Sequence, residues 1–285
     1  LKILVTGAQG FVGSHLMPRL RALGHDAAGF DIEQGDLART MPDADADAVI
    51  HLAARSSVVE SWNDPPSFYE ANVLGTARIL EFCRRRGARL VFVSSYVYGR
   101  PRYLPVDEDH PLEAFNPYGH SKILAEEAAR YYSRAFGVPL AIVRPFNLYG
   151  PGQSRQFLVP TLIEQVLDPA RPSIEVMDAR PRRDFLFIDD FIDLLARLAD
   201  TGKQGVFNAG SGASTSIGEL VRLLCELAGV DKMLVDLGKP RAEEVLDMYA
   251  AVGRARAELG WQPRTPLREG LAQTLAQWPK PVGGQ

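Results

Sequence analysis

The chain has very little cysteine. Cys83 and Cys225 lie far apart, and neither belongs to a Cys-x-x-Cys motif or a Cys/His group. A disulfide framework is therefore not expected. Two reduced thiols in a cytoplasmic protein are. Metal-ligand spacing is missing elsewhere too, so no metal is expected. Charge of one sign is also missing: 32 Lys and Arg stand against 35 Asp and Glu, a net charge of -3. No polybasic run or basic amphipathic stretch occurs, which argues against nucleic acid or a membrane surface as partner. No apolar run reaches membrane-spanning length. The opening Lys2-Ile3-Leu4-Val5 is strand-like, with no charged segment leading into an apolar one. A small-molecule substrate is the class that remains.

The rest of the composition is ordinary for a globular protein, with 46% hydrophobic and 24% charged residues in 285. That length suits one large α/β domain, or a large domain plus a small one. Short apolar runs alternate with helical patterns. Strands are expected at Ile3 to Val5, Ala27 to Phe30, Ala48 to Leu52, Leu90 to Val93 and Leu140 to Val143. Helices are expected from Gly10 to Leu23 and from Tyr118 to Phe136, and where Tyr69, Val73, Ala77 and Leu80 share a face. This alternation predicts an α/β fold with a Rossmann-like doubly wound parallel sheet.

After Tyr149 the texture changes. Gly150-Pro151-Gly152-Gln153 breaks the chain, and Pro160, Pro169, Pro172 and Pro181 punctuate the stretch beyond it. A smaller, irregular C-terminal lobe is expected there. Phe185 to Ile188, a helix at Phe191 to Leu198, and Val206-Phe207 look like a return to the first lobe. The expected division is 1–150, with return segments at about 185–210, against 151–184 and 211–285.

The first strand runs into Gly7-Ala8-Gln9-Gly10-Phe11-Val12-Gly13. Glycines at this spacing allow a tight turn and close backbone approach, and the following helix presents free N–H groups to a pyrophosphate. Asp31 closes the second strand about 20 residues past the last glycine, where a carboxylate accepts from a ribose 2′-hydroxyl. It repels a 2′-phosphate, so NAD is preferred to NADP. Asp36 either meets the adenine edge or is a plain loop acid.

Tyr118 and Lys122 are spaced i, i+4 on one helix face. A phenol has a reference pKa of about 10. An adjacent ammonium and a cationic nicotinamide lower it, and Tyr118 then exchanges a proton with a sugar hydroxyl while hydride moves. Ser94-Ser95 ends the strand that precedes this helix, at the carboxyl edge where open parallel sheets bind ligands. Ser95 is preferred to Ser94 as a partner of the reacting oxygen.

These segments together resemble the extended short-chain dehydrogenase/reductase family, in its nucleotide-sugar epimerase, dehydratase and ketoreductase branch. The resemblance runs from Thr6 to about Trp261. It is carried by Thr6–Gly13, His51-Leu52-Ala53-Ala54, Asn72-Val73-Leu74-Gly75-Thr76, Val93 to Gly99, Tyr118 to Lys122, Arg144 to Pro151 and Arg183-Asp184-Phe185. It implies that Ser95, Tyr118 and Lys122 are the catalytic triad and that Lys122 holds the nicotinamide ribose. It implies cofactor contacts at Leu37, Leu52, Ala53, Ala54, Ser94 and Pro145, with Asn72 ordering the active-site backbone. It implies a nucleotide-diphosphate sugar as substrate, met by Ser95, Tyr96, Asn147 and Val159. Arg183 and Arg241 would take its diphosphate or nucleotide, and Glu244 its ribose. It also implies a homodimer through the helices near Tyr69–Cys83 and Tyr118–Phe136.

The residues after Ser95 are Tyr96 and Val97, not the acidic pair of 4,6-dehydratases, so dehydration is not expected. The short Ser94–Tyr98 stretch resembles GDP-4-keto-6-deoxymannose reductases, and Gly150 to Gln153 with Phe157 to Pro160 resembles 4-ketoreductases and their dehydratase cousins, which puts a 4-ketoreductase first. The alternative is a UDP-hexose-type 4-epimerase, which Asp31 and its preference for NAD favour. A noncatalytic dinucleotide sensor ranks below both, because Ser95, Tyr118 and Lys122 are all present.

Overall fold

The structure, a computed structural model, describes residues 1–240 and 243–279. Its first half runs β1 (Lys2–Thr6), α1 (Phe11–Ala22), β2 (Asp26–Phe30), β3 (Ala48–His51), α2 (Val58–Asn63) and α3 (Pro65–Tyr69). A single π-turn, Glu70–Leu74, leads into α4 (Gly75–Arg86), followed by β4 (Arg89–Val93), α5 (Pro117–Phe136) and β5 (Leu140–Pro145). Then come β6 (Asn147–Tyr149), α6 (Leu158–Leu167), β7 (Ser173–Val176), β8 (Arg182–Arg183), β9 (Phe185–Phe187), α7 (Ile188–Thr201) and β10 (Gly205–Ala209). The chain continues with β11 (Thr215–Ser216), α8 (Ile217–Ala228), β12 (Met233–Asp236), β13 (Asp247–Met248), α9 (Gly253–Leu259) and α10 (Leu267–Ala276).

Six strands form the main sheet in the order β10-β5-β4-β3-β1-β2, every pair parallel. Successive side chains on a strand point to opposite faces. Accordingly Ile3 and Val5 enter one core with Leu16, Leu20, Leu194 and Leu198 of α1 and α7. Leu4 enters another with Ile79, Leu80, Cys83 and Ala125 of α4 and α5. Both faces are covered, which is why β1, β3 and β5 read as unbroken apolar runs. The return of Val206-Phe207 to the sheet is realised by β10, which pairs with β5. Three smaller sheets, β11-β8-β13, β12-β7 and β6-β9, accompany the main one.

One expected face is shifted. The segment with Tyr69, Val73, Ala77 and Leu80 is not one regular helix, because the π-turn inserts an extra residue. Phe68, Asn72, Thr76, Ile79 and Cys83 are buried, while Tyr69, Val73 and Ala77 are only partly so. The wider turn aims Asn72 inward, and π-turns of this kind gather at functional sites.

α5 starts where its local chemistry dictates. Asn116 accepts the Gly119 amide at 2.8 Å, Pro117 fills the first helical position, and Gly137 ends the helix in the left-handed conformation. Tyr118 is thereby fixed in the first turn, beside the end of β4.

Candidate active site

The glycine-rich turn follows β1. Gly7 has φ 72° and donates its amide to Phe30 O at 2.9 Å. A Cβ on Gly13 would stand 2.3 Å from Gly7 O, so α1 closes onto the turn only with glycine there. No side chain caps α1 at Gly10, and its first turn contains no acid. The N–H groups around Phe11, Val12 and Gly13, with the positive end of the helix dipole, are a fitting cradle for a pyrophosphate.

Asp31 Oδ1 accepts the Gln9 amide at 3.1 Å, and Gln9 Nε2 reaches Glu33 at 3.2 Å. The second Asp31 oxygen is left for a ribose hydroxyl, and the adjacent Glu33 makes the corner hostile to another phosphate. Asp36 Oδ1 accepts the Ala38 amide at 2.9 Å and so braces its own loop. Leu37 is buried and packs toward Gly75. These residues fit a dinucleotide with two ribose hydroxyls.

Beneath the cradle runs a buried polar chain. The Ala53 amide donates to Thr6 Oγ1 at 3.3 Å, Thr6 Oγ1 meets His51 Nδ1 at 2.6 Å, and His51 Nε2 meets Thr76 Oγ1 at 3.1 Å. Thr76 donates to Asn72 O at 2.6 Å. The chain is satisfied throughout only if the His51 proton sits on Nε2 and Thr6 donates to Nδ1. Burial, helped by Lys122, lowers the His51 pKa to about 3, so the ring is neutral. Asn72 Oδ1 accepts the Arg55 amide at 2.8 Å, and Nδ2 donates to Arg55 O and Ser121 Oγ. The loop that carries Leu52, Ala53 and the exposed Ala54 is thus fastened to β1, the π-turn and α5.

The residues expected to transfer protons meet at the carboxyl end of β4. Tyr118 packs edge-on against Phe68, with ring centroids 6.5 Å apart. Burial raises its pKa above the ordinary phenol value, and the neighbouring Ser95 hydroxyl pulls it back. Lys122 is buried, donates to Val93 O at 2.7 Å and lies over the Phe92 ring at 4.6 Å. Burial lowers its pKa to about 8. The expected depression of Tyr118 by Lys122 is therefore corrected: burial dominates, and the ammonium is turned to the Val93 carbonyl. Ser94 donates its amide to Val143 O at 2.8 Å, while its buried hydroxyl has no aligned partner.

On the other side of Ser95, the Tyr96 hydroxyl donates to Asn147 Oδ1 at 3.0 Å, and the ring stacks on Phe146 at 4.8 Å. Asn147 Nδ2 donates to Asp184 O at 3.0 Å. Arg183 donates to Val245 O at 2.6 Å and pairs directly with Glu244. Arg183, expected at the diphosphate or nucleotide, and Glu244, expected at the nucleotide ribose, are in contact with each other. Pro145 is buried opposite Ala209, and Val159 is buried in the first turn of α6. Neither is hydrogen-bonded to the groups above. Arg241 lies outside the described residues.

Sequence reasoning quoted His51, Arg144 and Asp184 inside motifs but gave them no role, and it missed Glu126. Asp184 is fully buried and accepts the amides of Ser211, Gly212 and Ala250, which fixes the backbone behind Asn147 and Arg183. Glu126 had a visible signal, as the next i+4 position after Tyr118 and Lys122. Among the described residues, no three His, Cys, Asp or Glu side chains gather as a metal site.

A sequence profile described as "NAD dependent epimerase/dehydratase family" matches residues 3–210. The chain belongs to the NAD dependent epimerase/dehydratase family. It is 31% identical to UDP-glucose 4-epimerase of Mycolicibacterium smegmatis, over 96% of this chain and 97% of that one. It is 32% identical to GDP-6-deoxy-D-mannose reductase of Pseudomonas aeruginosa, over 97% of each chain. Among solved structures, MoeE5 in complex with UDP-glucose and NAD superposes with a TM-score of 0.89 at 32% identity, covering 97% of this chain and 98% of that one. These likenesses span both smaller-sheet and main-sheet regions. No helix among the described residues is long and apolar enough to cross a membrane.

Proposed function

We propose that this protein is an NAD-dependent nucleotide-sugar 4-epimerase, with UDP-glucose as the first substrate to try. The observation that carries the reading is the Asp31 corner. It tethers the glycine turn through the Gln9 amide and, with Glu33, favours the unphosphorylated ribose of NAD. The 4-ketoreductase reading, put first on the sequence, rests on two loop resemblances. The similarity to a UDP-glucose 4-epimerase and to MoeE5 with UDP-glucose and NAD supports the alternative better.

In this reading residues 1–150 and 185–210 bind the dinucleotide, and 151–184 with 211–285 bind the sugar nucleotide. NAD, when bound, supplies the hydride acceptor and donor for C4 and a positive charge beside Tyr118. Tyr118 takes the proton from the C4 hydroxyl and later returns it. Ser95 hydrogen-bonds the same oxygen. Lys122 holds the nicotinamide ribose. Arg183 takes the diphosphate and Glu244 the nucleotide ribose, each leaving the other to do so. Tyr96 and Asn147 wall the sugar. A neutral phenol at 96, where dehydratases have an acid, leaves no base for eliminating water. Leu74, Tyr131 and Phe136 expose apolar side chains on the π-turn and α5, which supports a homodimer through the helices near Tyr69–Cys83 and Tyr118–Phe136.

The test is the nucleotide content of freshly purified protein, read after denaturation, together with turnover of UDP-glucose to UDP-galactose. Near-stoichiometric NAD⁺ and turnover without added cofactor are expected. Empty protein that consumes NADH or NADPH with a 4-keto-6-deoxy nucleotide sugar would return the ketoreductase to first place.

A further inference from the structure

Tyr118, Lys122 and Glu126 stand at i, i+4 and i+8 on α5, a single stripe down one helix face. The third member plays no part in the mechanism above, yet it is tightly held. Glu126 is 1% exposed. Arg144 of β5 grips it with both arms, Nε to Oε1 at 2.9 Å and Nη2 to Oε2 at 2.7 Å. Arg144 is itself fixed by donating to Tyr98 Oη at 3.2 Å and to Glu108 O at 3.1 Å. Tyr98 belongs to the loop that carries Ser95, so this clamp joins the two elements that bear the proton-transfer groups.

A carboxylate so well bonded stays ionised. Arg144 holds it below the usual carboxyl range although burial pushes the other way. The groups facing Lys122 are few. β3 offers the neutral His51, β4 the Val93 carbonyl, the Phe92 ring and Ser94, whose hydroxyl also lies beside Glu126. α5 offers Tyr118 and Glu126. Glu126 is the only anion of this set, one helical turn from Lys122 on the same face of α5.

We propose that Glu126 is a positioning residue for the reaction: its Arg144-clamped carboxylate is the counter-charge that keeps Lys122 an ammonium inside a dry site. The proposal rests on the catalytic role given to Lys122 above. The charge effect itself does not need that role, so it is measured without substrate.

The chain has six lysines, which makes ¹³Cε-lysine NMR of the whole protein tractable. The Lys122 signal is assigned by its loss in Lys122→Arg. In Glu126→Gln, which keeps an acceptor for Arg144, the Lys122 titration moves down by at least about one pH unit. The alkaline limb of kcat/KM for UDP-glucose moves with it. If the single variant fails to fold because Arg144 is left unpaired, Glu126→Gln combined with Arg144→Met removes both charges and shows a smaller downward shift, because the guanidinium lost with the carboxylate had itself been pushing the lysine's titration down. A Lys122 titration that stays within a few tenths of the wild-type value in folded Glu126→Gln, or that does not move down at all in the double variant, overturns the proposal. In that case any lost activity reflects only the tie between α5 and the Ser95 loop. Absence of UDP-glucose turnover in the wild type counts against the epimerase reading alone, and the NMR result still decides this one.

Discussion

The buried His51 predicts a specific weakness to acid. Its ring lies at 1% exposure between Thr6 and Thr76, with a pKa lowered to about 3. In the unfolded chain it returns to about 6.5. Between those values the unfolded state binds the extra proton, so stability rises with pH and is lost as pH falls from the unfolded value toward the folded one. The His51 contribution is nearly complete at pH 7. At pH 5 almost every unfolded chain is protonated at this site and almost no folded one, which costs about 2 kcal/mol. At pH 4 the cost reaches about 3 kcal/mol. Carboxylates titrate over part of the same range, so the comparison needs a control that lacks only the imidazole. Urea unfolding of wild type and His51→Gln at pH 7 and pH 5 supplies it. The variant is less stable at pH 7, because a well-bonded core group has been replaced. Its loss between the two pH values is smaller than the wild-type loss by about 2 kcal/mol. Equal losses in the two proteins refute the reasoning, because they mean that His51 takes up its proton without unfolding.

Tyr118→Phe lowers kcat by about 10²–10⁴-fold, while the NAD content of the purified protein is unchanged; near-wild-type turnover contradicts the acid–base role. Asp31→Ala loosens the Gln9 tether and lowers NAD retention, and it narrows the preference over NADP, as equilibrium dialysis with both cofactors shows. Arg183→Ala raises KM for UDP-glucose by about tenfold or more, in line with the loss of charge-assisted bonds worth about 1.5–3 kcal/mol, and leaves bound NAD in place. An unchanged KM moves the diphosphate away from Arg183.

The fold was legible because its signals are local. The runs at β1, β3 and β5 are apolar without alternation since both faces of each strand are covered, and their spacing by helices leaves little besides a parallel sheet. α5 was legible from the helical pattern over Tyr118 to Phe136, and with it the place of Tyr118. The π-turn was not. Its extra residue leaves no mark in the periodicity, which fits a regular helix through Tyr69, Val73 and Ala77 equally well. What demands the turn is tertiary: Asn72 has to reach both polar groups of the Arg55 backbone as well as Ser121.

The electrostatics of the site were legible only in part, for a related reason. Spacing says that Tyr118 and Lys122 share a face. It does not say where the ammonium points, and two neighbours decide that. Val93 O takes one of its hydrogens, and the Phe92 ring lies beneath it. Lys122 thus stays close to the end of β4 and to His51, whose pKa it helps to lower. The same burial acts with opposite results on groups of opposite type: it disfavours the ammonium of Lys122 and the phenolate of Tyr118 alike. Both are the charged forms used in the proposed reaction. A site this dry works only if charges of the right sign are built in beneath it. Glu126 answers that need for the lysine, and it can do so only because Arg144, distant in sequence, arrives on the neighbouring strand to hold it ionised.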